Sequence, residues 1–275
     1  MIVTRFAPSP TGPLHLGHAA SALTGWTLAR TAGGRFLLRI EDIDRTRCRR
    51  EFESAIMEDL AWLGLEWEMP VRRQSEHMAD CRAALVRLDR RALLYPCFCT
   101  RKDIAAATVA PHGPDGPLYP GACRGLSAEQ RKARLESGVP YAMRLDAAKA
   151  AALTGPLTWR EHARGLIAVD LLKFGDVVLA RKDIAASYHL AVAVDDDLQG
   201  VTLVTRGQDL FEATHIHRLL QALLGLAEPE YHHHPLLTDE RGRRLAKRDD
   251  ARSIRSFRQA GQSPAAVRAM AGFPG

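Results

Sequence analysis

From the amino terminus, the apolar run Ile2 to Phe6 predicts a short β-strand. Ala7 to Leu14 holds three prolines and a glycine, so a loop must follow. An alanine-rich helix is expected from Gly17 to Ala32, stopped by Gly33 and Gly34, and Phe36 to Ile40 resumes as a strand. Strand, loop, helix, strand is the unit that builds parallel sheets. Its second strand delivers Glu41, Asp42 and Asp44 to the carboxyl edge of the sheet, where open α/β folds place their ligands.

Helical spacing recurs in Cys48 to Leu63, through Phe52, Ile56, Leu60 and Leu63, and in Asp80 to Leu94, through Leu85, Leu88 and Leu93. Cys48 and Cys81 fall on these helices as packing residues. Thr108 to Ala122 is rich in proline and glycine and lacks a period, so it reads as a loop that something else must hold in place. Strands are expected at Ala142 to Leu145, Leu166 to Leu172, Asp176 to Ala180 and Gly200 to Thr205, and helices at Tyr188 to Val194 and Leu210 to Leu226. Gly242 to Asp250 forms a basic loop before a short helical tail. The run His232 to His234 receives no role, and there is no internal repeat.

With 275 residues, 46% of them apolar and 25% charged, the chain can bury a large core. No apolar stretch approaches the ~18 residues needed to span a bilayer, and Met1 to Arg5 runs straight into the proline-rich loop rather than an apolar signal region, so the expected location is the cytoplasm. The net charge of +6 and pI near 9.3 suit a polyanionic partner. Five cysteines, an odd number in a chain of this size, argue against a disulfide framework and for free thiols or a metal site.

The chemistry is most concentrated at His15-Leu16-Gly17-His18, a His-x-Gly-His run at the mouth of a helix. Helix N-terminal amides and the positive end of the dipole attract phosphate. Gly17 lets a nucleotide approach the backbone, while His15 and His18 add donors that stabilise charge building on a transferring phosphorus. The whole run Arg5-Phe6-Ala7-Pro8-Ser9-Pro10-Thr11-Gly12-Pro13-Leu14-His15-Leu16-Gly17-His18 closely resembles the N-terminal signature of the glutamyl-tRNA synthetases, including the HIGH motif of class I enzymes. Towards the other end, Arg244-Leu245-Ala246-Lys247-Arg248 resembles the KMSKS loop. Lys247 matches its second lysine, which the resemblance places at the phosphates; Arg244 stands for the first lysine, and Ala246 replaces the serine and its hydroxyl contact. The resemblance thus assigns ATP to His15, Gly17, His18 and Lys247, with His15, His18 and Lys247 catalytic and Mg²⁺ accompanying the nucleotide.

A glutamate pocket must offer an acceptor to the α-ammonium and cationic donors to the side-chain carboxylate. By resemblance, Glu41 meets the amino group with Ser9 beside it, and Arg5, Ala7, Tyr188 and Arg206 occupy positions that surround L-glutamate, the arginines selecting a carboxylate over an amide. Cys97 and Cys99 flank Phe98, and Cys123 follows the irregular loop. A Cys-x-Cys pair with a distant closing donor is how zinc staples a loop that lacks a core. The fourth donor has to be another residue: the resemblance to zinc-bearing glutamyl enzymes suggests Tyr119, and His112 is the conventional rival.

The resemblance implies an α/β fold: a Rossmann-type class I synthetase catalytic domain in two parts, 1–95 and 186–275, with an inserted zinc-bearing subdomain at 96–185 and a short C-terminal helical segment. Only 27 residues follow Arg248, which leaves no room for a helical anticodon-binding region. The chain is therefore similar to the catalytic half alone, the pattern of the glutamyl-Q tRNA(Asp) synthetases. That resemblance implies ATP-dependent activation of glutamate without tRNA, then transfer to the queuosine base in the anticodon of tRNA(Asp), by a monomer with no membrane partner. The alternatives are a compact glutamyl-tRNA synthetase charging a tRNA 3′ end and a non-catalytic tRNA-binding paralogue.

Overall fold

The computed structural model describes residues 1–100, 102–104, 112–113, 116–171, 173–181, 185–238 and 252–274. The amino-terminal unit runs β1 (Val3–Phe6), α1 (Leu16–Thr31), β2 (Arg35–Ile40), α2 (Arg50–Trp62), β3 (Glu68–Arg73) and α3 (Met78–Arg90). β1, β2 and β3 form one parallel sheet in that order. Nearly every residue of β1 and β2 is buried, as strands covered on both faces must be. The face that α1 turns to the sheet is built of Ala19, Ala20, Ala22, Leu23, Gly25 and Ala29. Small side chains let the helix come close: a Cβ on Gly25 would stand 2.7 Å from Thr205 Oγ1. α2 begins at Arg50, so Cys48 lies in the turn before the helix rather than on it.

β4 (Leu94–Cys97) leads into the middle of the chain, where β5 (His112–Gly113) and β6 (Gly116–Pro117) make a small antiparallel pair within the stretch expected to be loop. Then come α4 (Ala128–Glu136), β7 (Ala142–Leu145), α5 (Ala147–Thr154), β8 (Thr158–Glu161), β9 (Gly165–Ala168) and β10 (Val178–Arg181). β4, β7 and β10 form an antiparallel sheet with β7 in the centre.

The chain returns with α6 (Tyr188–Leu198), β11 (Leu203–Gly207), α7 (Ala213–Leu224) and β12 (Glu230–His234), and ends with α8 (Ile254–Gln259) and α9 (Pro264–Met270). β11 pairs in parallel with β12, and β12 with β8, so the β8–β9 hairpin extends this sheet. Thr202, just ahead of β11, bonds to Val3 of β1 in both directions, its amide to the Val3 carbonyl at 3.0 Å and its hydroxyl to the Val3 amide at 2.9 Å. The two sheets thus lie edge to edge, with the carboxyl ends of β1 and β11 together. α8 and α9 cap the amino-terminal core through Ile254, Phe257, Val267 and Ala271. The strand expected at Leu166 to Leu172 is shorter than its apolar run, and the helix expected from Leu210 starts at Ala213, after a short 3₁₀ turn. β3, β8, α4, α5 and β12 had no clear periodic signal. The histidine run forms the last three residues of β12. No helix among the described residues is long and apolar enough to cross a membrane.

Candidate active site

Where the two sheets meet, a cavity of about 460 Å³ opens at the carboxyl ends of β1 and β11. Its wall includes Arg5, Ala7, Ser9, His15, Gly17, His18, Glu41, Tyr188 and Arg206. Every residue expected to hold glutamate or nucleotide, Lys247 apart, therefore faces one space. Lys247 lies outside the described residues, as does the rest of Arg244 to Arg248. The chain on either side of that stretch is at the cavity: Leu236 and Leu237 line it, and Ser253 bridges to His15 through the backbone.

His15 caps α1. Its Nδ1 accepts from the Gly17 amide at 3.1 Å, while His18 Nδ1 accepts from the His15 amide at 3.3 Å, and the two rings stack 3.8 Å apart. Because both Nδ1 atoms accept, the proton of each neutral ring sits on Nε2. A Cβ on Gly17 would stand 3.0 Å from His15 Cε1, so any side chain there would crowd this cap.

The two pocket arginines differ in their surroundings. Arg5 Nε bonds to Asp196 Oδ1 at 2.9 Å, and its Nη1 to the Thr205 carbonyl at 3.1 Å, so its charge already has a buried counter-ion. Asp196 also takes Arg39 Nη1 at 2.8 Å. Burial opposes charge on Asp196, yet Arg5 and Arg39 outweigh it and hold its carboxyl below the usual range. Arg39 is fully buried and reaches Glu41 at 3.3 Å, and burial is likewise outweighed for it by Asp196, Glu41 and Asp195, which raise it above its ordinary value. Glu41, with the longer share of Arg39, is different: burial pushes its carboxyl up to about 7 against the pull of Arg39 and Arg5.

Arg206 is held by neutral groups. Its Nε bonds to His233 Nε2 at 3.0 Å, Nη2 to Thr214 Oγ1 at 2.6 Å, and Nη1 to His217 Nδ1 at 3.1 Å and Tyr188 Oη at 3.4 Å. Burial first, and Arg206 second, push His217 and His233 far below the ordinary imidazole value, which keeps both uncharged. Among the described residues no carboxylate forms an ion pair with Arg206. A buried guanidinium with no counter-ion of its own calls for an anion from the cavity.

A second cavity, of about 560 Å³, adjoins the first through Ser9, Thr11, Glu41 and Tyr188, and is lined further by Asp44, Arg47, Arg181 and His189. Away from both, Cys97, Cys99 and Cys123 bring their sulfur atoms within 4.8 Å of one another. Cys99 Sγ and Cys123 Sγ are 3.6 Å apart, and Tyr119 Oη lies 3.9 Å from Cys99 Sγ. Tetrahedral zinc thiolates stand about 3.8 Å from one another, so the donor spacing fits the ion. The side chain of His112 lies outside the described residues.

Residues 1–273 match the family described as tRNA synthetases class I (E and Q), catalytic domain. The glutamyl-Q tRNA(Asp) synthetase of Rhodobacter capsulatus is 50% identical, over 99% of this chain and 100% of its own length. The chain belongs to the glutamyl-Q tRNA(Asp) synthetase family. A second member, from Nocardia farcinica, is 44% identical over 97% of this chain and 82% of its own. A solved glutamate tRNA ligase from Elizabethkingia meningosepticum, in complex with its amino acid, superposes with a TM-score of 0.75 at 31% identity, covering 90% of this chain and 52% of the ligase. This chain thus spans about half that ligase's length with the same α/β catalytic fold. Membership in the class I synthetases brings ATP as a substrate, with Mg²⁺ on its phosphates.

Sequence reasoning passed over Arg39, Asp195, Asp196, Glu161, Thr214, His217 and His233. One signal was available: Arg39 is a charged residue inside the apolar strand Phe36 to Ile40, and Asp195 and Asp196 close an otherwise apolar helical run. Charges in such places need buried partners.

Proposed function

We infer that this chain activates L-glutamate with ATP in the absence of tRNA and transfers the glutamyl group to the queuosine base in the anticodon of tRNA(Asp). The observation that carries the reading is the uncompensated charge of Arg206, set in the same cavity as Glu41 and the His15–His18 cap. Glutamate bridges the opposite ends: its γ-carboxylate neutralises Arg206, and its α-ammonium meets Glu41 and Ser9. Arg5, tied to Asp196, shapes the wall between them and orients donors towards the substrate.

The α-carboxylate is left facing the nucleotide. One of its oxygens attacks the α-phosphorus of ATP, the bond from that phosphorus to the oxygen bridging to the β-phosphate breaks, and pyrophosphate leaves; Mg²⁺ carried by the nucleotide would offset the charge of the phosphates. The imidazoles of His15 and His18 present Nε2–H donors, and Lys247, brought in from the segment between Leu237 and Ser253, stabilises the charge on the transferring phosphorus. A cyclopentene-diol hydroxyl of queuosine then attacks the glutamyl carbonyl and AMP departs. The second cavity, which shares Glu41 and Tyr188 with the first, has room for the incoming nucleoside.

Residues 96–185 act as the insertion, of which the β8–β9 hairpin joins the β11–β12 sheet, and it is stapled by structural zinc on Cys97, Cys99, Cys123 and Tyr119; the spacing of these donors supports the assignment. The enzyme works as a cytoplasmic monomer, where ATP and tRNA are at hand. Glutamate-dependent ATP–pyrophosphate exchange without tRNA tests the first step, and labelled glutamate offered to tRNA(Asp) with and without queuosine tests the second. Transfer that ignores queuosine, or goes to tRNA(Glu), overturns the reading.

A further inference from the structure

Behind Arg206 lies a pair of side chains that touch neither cavity. Glu161, at the end of β8, is 1% exposed at its side chain, and His233, one residue from the end of β12, is 2% exposed. Glu161 Oε1 accepts from the backbone amide of His233 at 3.0 Å, and Oε2 meets His233 Nδ1 at 2.6 Å. His233 Nε2 in turn accepts from Arg206 Nε at 3.0 Å. No lysine or arginine pairs with Glu161 among the described residues, although burying a lone carboxylate is costly. Its two oxygens are instead met by the two N–H groups of His233, the backbone amide and the ring Nδ1, so it makes no ion pair with Arg206.

We propose that Glu161 and His233 form a relay that positions Arg206 and thereby sets the selectivity for glutamate, a role that rests on the reading of Arg206 as the carboxylate-binding residue. The tautomer gives the relay its force. An arginine Nε–H can only donate, so His233 must present a bare Nε2 and carry its proton on Nδ1. A carboxylate, which only accepts, enforces that arrangement from the far side. The guanidinium is then fixed at its base by His233 and at one edge by Thr214, with its charge directed into the cavity.

The relay also explains the parallel pairing of β12 between β11 and β8. That order puts His233 opposite Arg206 on one side, and brings Glu161 alongside from the other, where it registers with Tyr231. Second-layer partners of this kind hold a binding group to the few tenths of an ångström that discrimination requires. Glu161 and His233 are positioning residues, since both act through Arg206.

The test compares the wild type with Glu161→Gln, His233→Leu and His233→Gln in tRNA-independent ATP–pyrophosphate exchange. In Glu161→Gln the new amide can donate to Nδ1, which moves the imidazole proton to Nε2, against the Arg206 N–H. A donor facing a donor in a buried site predicts a KM for glutamate raised roughly tenfold or more, with the KM for ATP unchanged. The preference for glutamate over glutamine should fall with it. His233→Leu should lose at least as much, whereas His233→Gln, whose carbonyl oxygen can replace Nε2 as acceptor, should recover part. A purely structural role would instead lower the melting temperature and kcat while leaving the KM for glutamate and the preference intact. That result, or a Glu161→Gln enzyme with wild-type KM, overturns the relay alone. A wild type without glutamate-dependent exchange overturns the reading of the pocket on which the relay rests. If Glu161→Gln does not fold, the contrast between the two His233 variants decides.

Discussion

Acidification should weaken glutamate binding through Glu41, and the structure supplies the size of the effect. Glu41 is buried, and its nearest cation, Arg39 at 3.3 Å, gives its shorter contact of 2.8 Å to Asp196. Burial therefore carries the carboxyl up to about 7. The substrate's α-ammonium needs an ionised partner, so below that value binding must first expel a proton. The ionised fraction falls from about nine-tenths at pH 8 to about one-tenth at pH 6, so KM for glutamate should rise about tenfold over that interval. At saturating glutamate the ammonium holds Glu41 ionised, and kcat should change little. The assay is ATP–pyrophosphate exchange at fixed ionic strength across pH 6 to 8, with KM for glutamate and for ATP fitted separately. Glu41→Gln should raise KM roughly 30-fold or more at pH 8 and flatten its pH dependence. The sign for folding is opposite. The folded carboxyl keeps its proton up to about 7, against 4.5 for the ordinary group, so this residue's contribution to stability declines as pH rises between those values. A KM for glutamate that stays flat from pH 6 to 8, or an acid loss confined to kcat, would refute the reasoning.

Three further outcomes are expected. Gly17→Ala places a methyl group 3.0 Å from the His15 ring, so the cap must shift; KM for ATP should rise roughly tenfold while circular dichroism stays that of the wild type. Arg39→Met strips Asp196 and Glu41 of a buried counter-ion, which should cost roughly 3–5 kcal/mol and lower the melting temperature by roughly 10 °C. Protein purified without chelator should carry about one zinc per chain and lose it in Cys99→Ser, with a lower melting temperature; equal absence of zinc from both would end the metal assignment.

The His15–His18 end of the pocket was readable along the chain because its signals are local. Three prolines and a glycine force a loop, the alanine run forces a helix, and the residues between them can only sit at the helix mouth. The same holds for Glu41, which follows directly on an apolar strand. Motif resemblance added Arg5, Tyr188 and Arg206, and the structure gathers all of them at one cavity. What each arginine does there could not be read from the run it sits in. Arg5 and Arg206 look equivalent as strand arginines, and they differ because α6 brings Asp196 to one while β12 and α7 bring His233, Thr214 and His217 to the other.

The histidine run shows why. On a strand, successive side chains point to opposite faces, so His233 must serve different neighbours from His232 and His234, but nothing local says which. Only the pairing of β12 between β11 and β8 turns His233 towards Arg206 and Glu161, while His234 bonds to Ser21 of α1 at the cavity wall. Sequence by itself determined the chemistry present and the strand–loop–helix at the mouth of the cavity, since those depend on backbone preferences over a few residues. Tertiary structure decided which charge stays uncompensated, because that depends on partners separated by tens to hundreds of residues and on water being excluded from between them.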